Sequence, residues 1–158
     1  MENYAMIEVF NSFKLTSEVL YDLAGVDSIG APTNTIYVPA YVVNSCFCIE
    51  IGFKYLIQQQ GGNARGHDLV LLHGQLTQDN KDKIDSYIKS FSQDPSKYPQ
   101  WFHDELAEVS AGFVDWRYLY EPVNTPTPGT SVVNTVIANL NFIKRLREAL
   151  DNIINPSH

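Results

Sequence analysis

The chain has 158 residues, 44% of them hydrophobic and 18% charged, and a net charge of −7. A chain of this length buries roughly 70% of its unfolded surface, and the composition excludes disordered and fibrous classes. The acidic balance argues against sequence-independent binding to a phosphate backbone, which needs several Lys or Arg acting together.

No apolar run approaches the ~20 residues that span a bilayer. The opening "MENYAMIEVF" also lacks the basic-then-apolar order of a secretion signal. The expectation is one cytoplasmic domain over residues 1–158, with neither membrane nor DNA as a partner.

In chain order, Asn3 to about Ala24 keeps a helical period through Met6, Val9, Phe10, Phe13, Val19, Leu20 and Leu23, and Gly25 supplies a stop. "GVDSIGAPTNT" is a loop by composition. A second helix runs from near Pro39 to Gln60 and is apolar almost all round, the mark of a buried central helix. The β-branched run "TIYVPAYVV" leaves an extended start before Pro39 as the alternative to helix there, since β-branched residues favour strands.

Cys46 and Cys48 lie on that helix. Their spacing points them in nearly opposite directions, so they read as core residues in a reducing compartment rather than as a disulfide or metal pair. "GGN", Gly61 to Asn63, ends the helix.

"GHDLVLLHGQL" starts a short third helix, with Asp68 in its first turn where a negative charge suits the helix dipole. "TQDNKDKIDSYIKSF" gives a fourth, amphipathic and exposed, through Ile84, Tyr87, Ile88 and Phe91. "SQDPSKYPQ" is a linker. A fifth helix runs from about Trp101 to Glu121, where Pro122 ends it.

After the loop "PVNTPTPGT", a last helix covers Ser131 to about Ile154. Its stripe is Val133, Val136, Ile137, Leu140, Ile143, Leu146 and Leu150. On it "KRLR", Lys144 to Arg147, reads as a solvated basic face. The fold class is all-α, a bundle of long central helices with shorter flanking ones.

Charges on a buried helix need partners. Glu50 and Lys54 are four apart on the second helix, acid first, the favourable order for an ion pair. Arg117 and Glu121 repeat the spacing on the fifth. His67 and Asp68 follow directly after the turn that leaves the second helix. Together with Tyr118, these residues form a candidate polar cluster, either a network that holds three helices in register or a binding site.

"HDELAE" lacks the second histidine of a His-Glu-x-x-His zinc site, and no phosphate-binding loop or nucleophile elbow is present. His73 has no second ligand in spacing. No catalytic residue, metal or cofactor is assigned.

The stretches "CFCIEIGFKYLI", "RGHDLVLLHGQL" and "FVDWRYLYE", in this order, resemble the HEPN superfamily of small all-helical prokaryotic domains common in toxin–antitoxin and defence systems. The likeness covers most of Pro39 to Glu121. It implies a HEPN-like bundle, a homodimer, and a metal-independent ribonuclease site built on an Arg-x4-6-His motif. A histidine for Arg117 belongs at 122, 123 or 124, and those positions are Pro122, Val123 and Asn124.

The motif is absent, so the expectation is a non-catalytic module that binds RNA, a nucleotide or a partner protein. Two alternatives stand beside it. One is a ribonuclease with a variant site, Arg117 holding phosphate and His67 acting as acid/base. The other is a structural or immunity-type module that sequesters another chain.

Overall fold

A computed structural model of the chain describes residues 2–91, 94–117 and 132–156, and side chains at 4–91, 94–113 and 140–156. The fold is all-α. Six helices follow one another: α1 (Glu2–Ala24), α2 (Val38–Gln59), α3 (Leu69–Gly74), α4 (Gln78–Lys89), α5 (Tyr98–Arg117) and α6 (Val132–Ile154). Short 3-10 turns at Thr35–Tyr37 and Pro95–Lys97 lead into α2 and α5. No strand occurs among the described residues, only an isolated bridge between Val26 and Pro32.

α2 is the centre, in contact with α1, α3, α5 and α6. Tyr41, Cys46, Cys48, Ile49 and Phe53 are fully buried on it. Thr35–Gln59 is, by length and composition alone, apolar enough to cross a membrane, yet just over half of that window is buried against other helices of the same chain, as in a core helix.

Both cysteines are free thiols, and burial pushes the Cys48 thiol up to about 12. The residues before Pro39 form a helical turn rather than an extended lead. Proline is tolerated in the first turn because its missing N–H is one that no helix partner uses.

α2 stops through Gly61, whose φ of +81° only glycine adopts cheaply. The N–H groups of Gly61 and Gly62 then close on the carbonyls of Gln58 and Ile57, at 3.0 and 2.8 Å.

α1 lies along α2 through Phe10, Phe13, Ser17, Leu20, Tyr21 and Ala24. Phe13 stacks on Phe47 and Tyr21 packs against Tyr41. Val9, Val19 and Leu23, counted with the core stripe in the sequence, are exposed instead, as is Leu15.

α6 closes the bundle with Leu140, Ile143, Leu146 and Leu150, all buried. Val133, Val136 and Ile137 lie outside the described side chains. Lys14 on α1 pairs with Asp151 on α6 at 2.6 Å, and the Tyr41 hydroxyl donates to the Leu140 carbonyl at 3.3 Å.

Three expectations are corrected. α4 is not simply exposed: Ile84 and Ile88 are buried, and Tyr87 donates to Glu148 on α6 at 2.9 Å. From Pro95 on, the segment expected as a linker is helical, because Asp94 caps a 3-10 turn that runs into α5 at Tyr98.

"KRLR" is not a solvated face. Lys144 sits over the Tyr21 ring at 4.5 Å, Arg145 over Phe91 at 3.7 Å and Arg147 over Tyr41 at 5.9 Å, and Arg147 is buried. Aromatic faces attract cations whose stems are already packed against them.

Gly52 marks a close approach of helices. A Cβ there would meet Leu150 Cδ1 and Phe10 Cε2, both at 3.1 Å, so α1, α2 and α6 converge on a position where a side chain forces its neighbours to shift. Gly52→Val is expected to destabilise the fold by roughly 1–3 kcal/mol through overpacking. Urea denaturation reads this, and an unchanged midpoint contradicts the convergence.

Candidate functional site

Glu50 is the acid that α2 carries into the interior, with 4% of its surface exposed. Burying a carboxylate demands donors around it. Two arrive from different directions at the same oxygen. Lys54 Nζ, one turn along α2, lies 2.8 Å from Glu50 Oε1. His67 Nδ1, from the loop that leaves α2, lies 2.8 Å from it. The sequence grouped these three with Asp68, Arg117, Tyr118 and Glu121; Glu50, Lys54 and His67 are the members that meet here.

A histidine whose Nδ1–H is held by a carboxylate has a fixed ring orientation and presents Nε2. The His67 side chain is 63% exposed, and Nε2 takes no hydrogen bond from the described residues. The ring therefore combines a buried anchor with an open face.

Asp68 does not join the carboxylate–lysine–histidine group. α3 begins at Leu69, and its first N–H groups have no helical partner. Asp68 accepts from Val70 N at 2.9 Å and Leu71 N at 3.1 Å, so it is the N-cap that precedes α3 rather than the first-turn residue expected from the sequence. Ser110 on α5 donates to Asp68 and accepts from Leu69 N at 3.0 Å, which fixes α3 against α5.

The expectations for Tyr118 and Glu121 fall outside the described residues, as does the side chain of Arg117. The pairing of Arg117 with Glu121 or His67 is among them.

His67 opens onto a groove of about 460 Å3 between α3 and α5. Its walls include Asp68, Val70, Ser110 and a second histidine, His103. His103 was visible in "HDELAE" only as a failed metal motif. Its place opposite the α2–α3 loop depends on how α5 packs, which no local spacing encodes. Among the described residues no group of three or more His, Cys, Asp or Glu is placed to hold a metal ion. The groove offers imidazoles, a hydroxyl and a carboxylate.

The histidine on α3 itself has a different character. His73 lies between the rings of Phe53 and Phe102, with centroids 5.8 and 5.0 Å away. Burial, then nearby Lys81, pushes its pKa down to about 4. On α5, Glu105 is pushed up to about 7, chiefly by burial and then by the neighbouring Glu108 charge. Neither residue was singled out as a site from the sequence, and neither lines the groove.

The anchored-and-open description of His67 makes a stability prediction. Glu50→Ala strips two donors of their shared acceptor and is expected to cost roughly 1–3 kcal/mol. His67→Ala removes a mostly exposed ring and is expected to cost less than about 1 kcal/mol. Urea midpoints measure both, and equal losses contradict the description.

His73 makes a pH prediction. Its folded pKa lies below its unfolded one, so between about pH 6.5 and 4 the unfolded chain binds more protons and stability falls on acidification. The stability difference between wild type and His73→Phe is expected to change through that window and to be flat above it. A difference that is flat throughout contradicts the buried neutral imidazole.

Comparison with known protein families, with curated proteins and with solved structures gives no match. The site's chemistry is therefore read from its own geometry.

Proposed function

We propose that the chain is a HEPN-like helical module that binds a phosphate-bearing ligand, a nucleotide or an RNA, at the groove between α3 and α5. One observation carries this reading: an exposed His67 locked at Nδ1 by the buried Glu50 and turned to a groove that also holds His103. An imidazole used only to brace the α2–α3 loop has no need of an open face. A histidine fixed at one nitrogen can donate its other N–H to a phosphate oxygen when protonated.

The same geometry favours cleavage as a second reading. Carboxylate-oriented histidine is the arrangement of a general base, and a second imidazole on one groove could serve as general acid. In RNA the 2′-hydroxyl would attack the adjacent phosphorus and the 5′-oxygen would leave with a proton, without a metal.

One experiment separates these readings. Labelled mixed-sequence RNA and free nucleotides are titrated against wild type, His67→Ala and Arg117→Ala with chelator present, following anisotropy and strand length together. Binding without cleavage, weakened about tenfold by His67→Ala, is the expected result. Cleavage lost in His67→Ala establishes the second reading. Absence of both binding and cleavage in wild type overturns the assignment of the groove.

A further inference from the structure

Around α5 from that groove lies a second concavity, of about 580 Å3, between α4, α5 and α6. Trp101 and His103 are two residues apart and so point about 200° from each other around the helix. The cavity volume falls within the ~300–1,000 Å3 of small-molecule sites. Its walls include Phe91, Asp94, Lys97, Trp101, Asn141 and Arg145.

Two of these walls are aromatic rings left partly open to solvent. Phe91 is 50% and Trp101 38% exposed. Both are nevertheless held in place: Trp101 meets Phe142 edge-on at 5.6 Å, and Arg145 lies 3.7 Å above the Phe91 ring. Fixed, half-exposed rings in a concave wall offer apolar surface to a planar molecule at little ordering cost.

Arg145 adds a charged edge. Stacking on Phe91 leaves its donors directed in the plane of the guanidinium. Nη1 reaches Glu148 at 2.9 Å, and that carboxylate is shared with the Tyr87 hydroxyl at 2.9 Å and Lys144 at 3.9 Å. The remaining donors of Arg145 have no partner among the described residues.

Lys97 stands at the rim, 81% exposed, and reaches Asp94 at 3.3 Å. Asp94 is engaged by Ser96, whose N and Oγ donate to it at 3.2 and 2.6 Å. Asn141 contributes an amide held by the Tyr21 hydroxyl at 3.0 Å.

We propose that this cavity binds a small planar aromatic anion, its ring against Trp101 and Phe91 and its carboxylate or phosphate on Arg145 and Lys97. The anion supplies what the Arg145 fork lacks, and the ring covers what the two aromatics expose. Asp94 opposes the anion, which gives the site a distinctive signature. The inference is independent of the phosphate-binding reading of the His67 groove.

Calorimetric titration of the full chain with indole-3-carboxylate and with adenosine monophosphate, beside the uncharged indole and adenosine, tests it. At least one anion is expected to bind saturably and about tenfold more tightly than its uncharged counterpart. Saturation by the first identifies a carboxylate ligand and by the second a phosphate ligand, and either result supports the site where Lys97→Gln weakens it.

Arg145→Gln is expected to weaken binding about tenfold, Lys97→Gln a few-fold, and Asp94→Asn to tighten it. His67→Ala is expected to leave binding of indole-3-carboxylate unchanged. Adenosine monophosphate, which the His67 groove would also take, is assigned to this cavity only where Lys97→Gln or Arg145→Gln weakens it. Lys97 is at the exposed rim, so its variant carries the test if Arg145→Gln does not fold. No saturation by either anion at millimolar concentration overturns the proposal. So does indole-3-carboxylate binding that is lost in His67→Ala, or binding of either anion that is unaffected by Lys97→Gln and Asp94→Asn.

Discussion

A helix that is apolar on every side is stable in water only when other helices surround it, and α2 imposes that condition on the whole chain. Its rings and branched side chains are buried by α1, α3, α5 and α6. Gly52 lets two of those helices approach closely, and the glycine cap at Gly61 turns the chain away as soon as the apolar run ends. Any charge carried by α2 enters the interior under the same condition. Glu50 is tolerated because Lys54 and His67 both meet its carboxylate.

That requirement links packing to chemistry. Lys54 is supplied by the helix itself and holds no other element in place. His67 comes from the loop, so the hydrogen bond also fixes where the α2–α3 connection runs and which way the imidazole faces. Asp68, next in sequence, answers a different demand, the unsatisfied N–H groups of α3. Two adjacent polar residues thus divide the work, one bracing a helix start and the other facing an open groove. His73 shows the contrasting outcome, an imidazole enclosed by Phe53 and Phe102 and kept neutral by burial.

Local chemistry made part of this legible in the sequence. Gly25 and Gly61 mark helix ends because turns that need a positive φ favour glycine. Glu50, Lys54 and His67 were legible as a group because the chain between them is short.

What depended on packing was hidden. Val9, Val19 and Leu23 are as apolar as Phe10 and Phe13, and hydropathy alone does not choose which face of α1 is covered. Lys144, Arg145 and Arg147 look like a solvated run until the rings beneath them are known. His103 and Trp101 lie two residues apart on one helix and face different cavities, because α3 and α6 pack against different sides of α5. Arg117, Tyr118 and Glu121 stand as the sequence presents them, a motif without its histidine.

The central claim is that the buried Glu50 carboxylate holds His67 at Nδ1 and leaves Nε2 for a ligand. Nitrogen-15 NMR of the His67 ring, at a pH where the imidazole is neutral, tests it most directly. The account predicts a proton on Nδ1 in wild type, a mixed or reversed tautomer in Glu50→Leu, and a response at Nε2 when RNA or nucleotide is added. A proton on Nε2 in wild type, insensitive to Glu50→Leu, would contradict it.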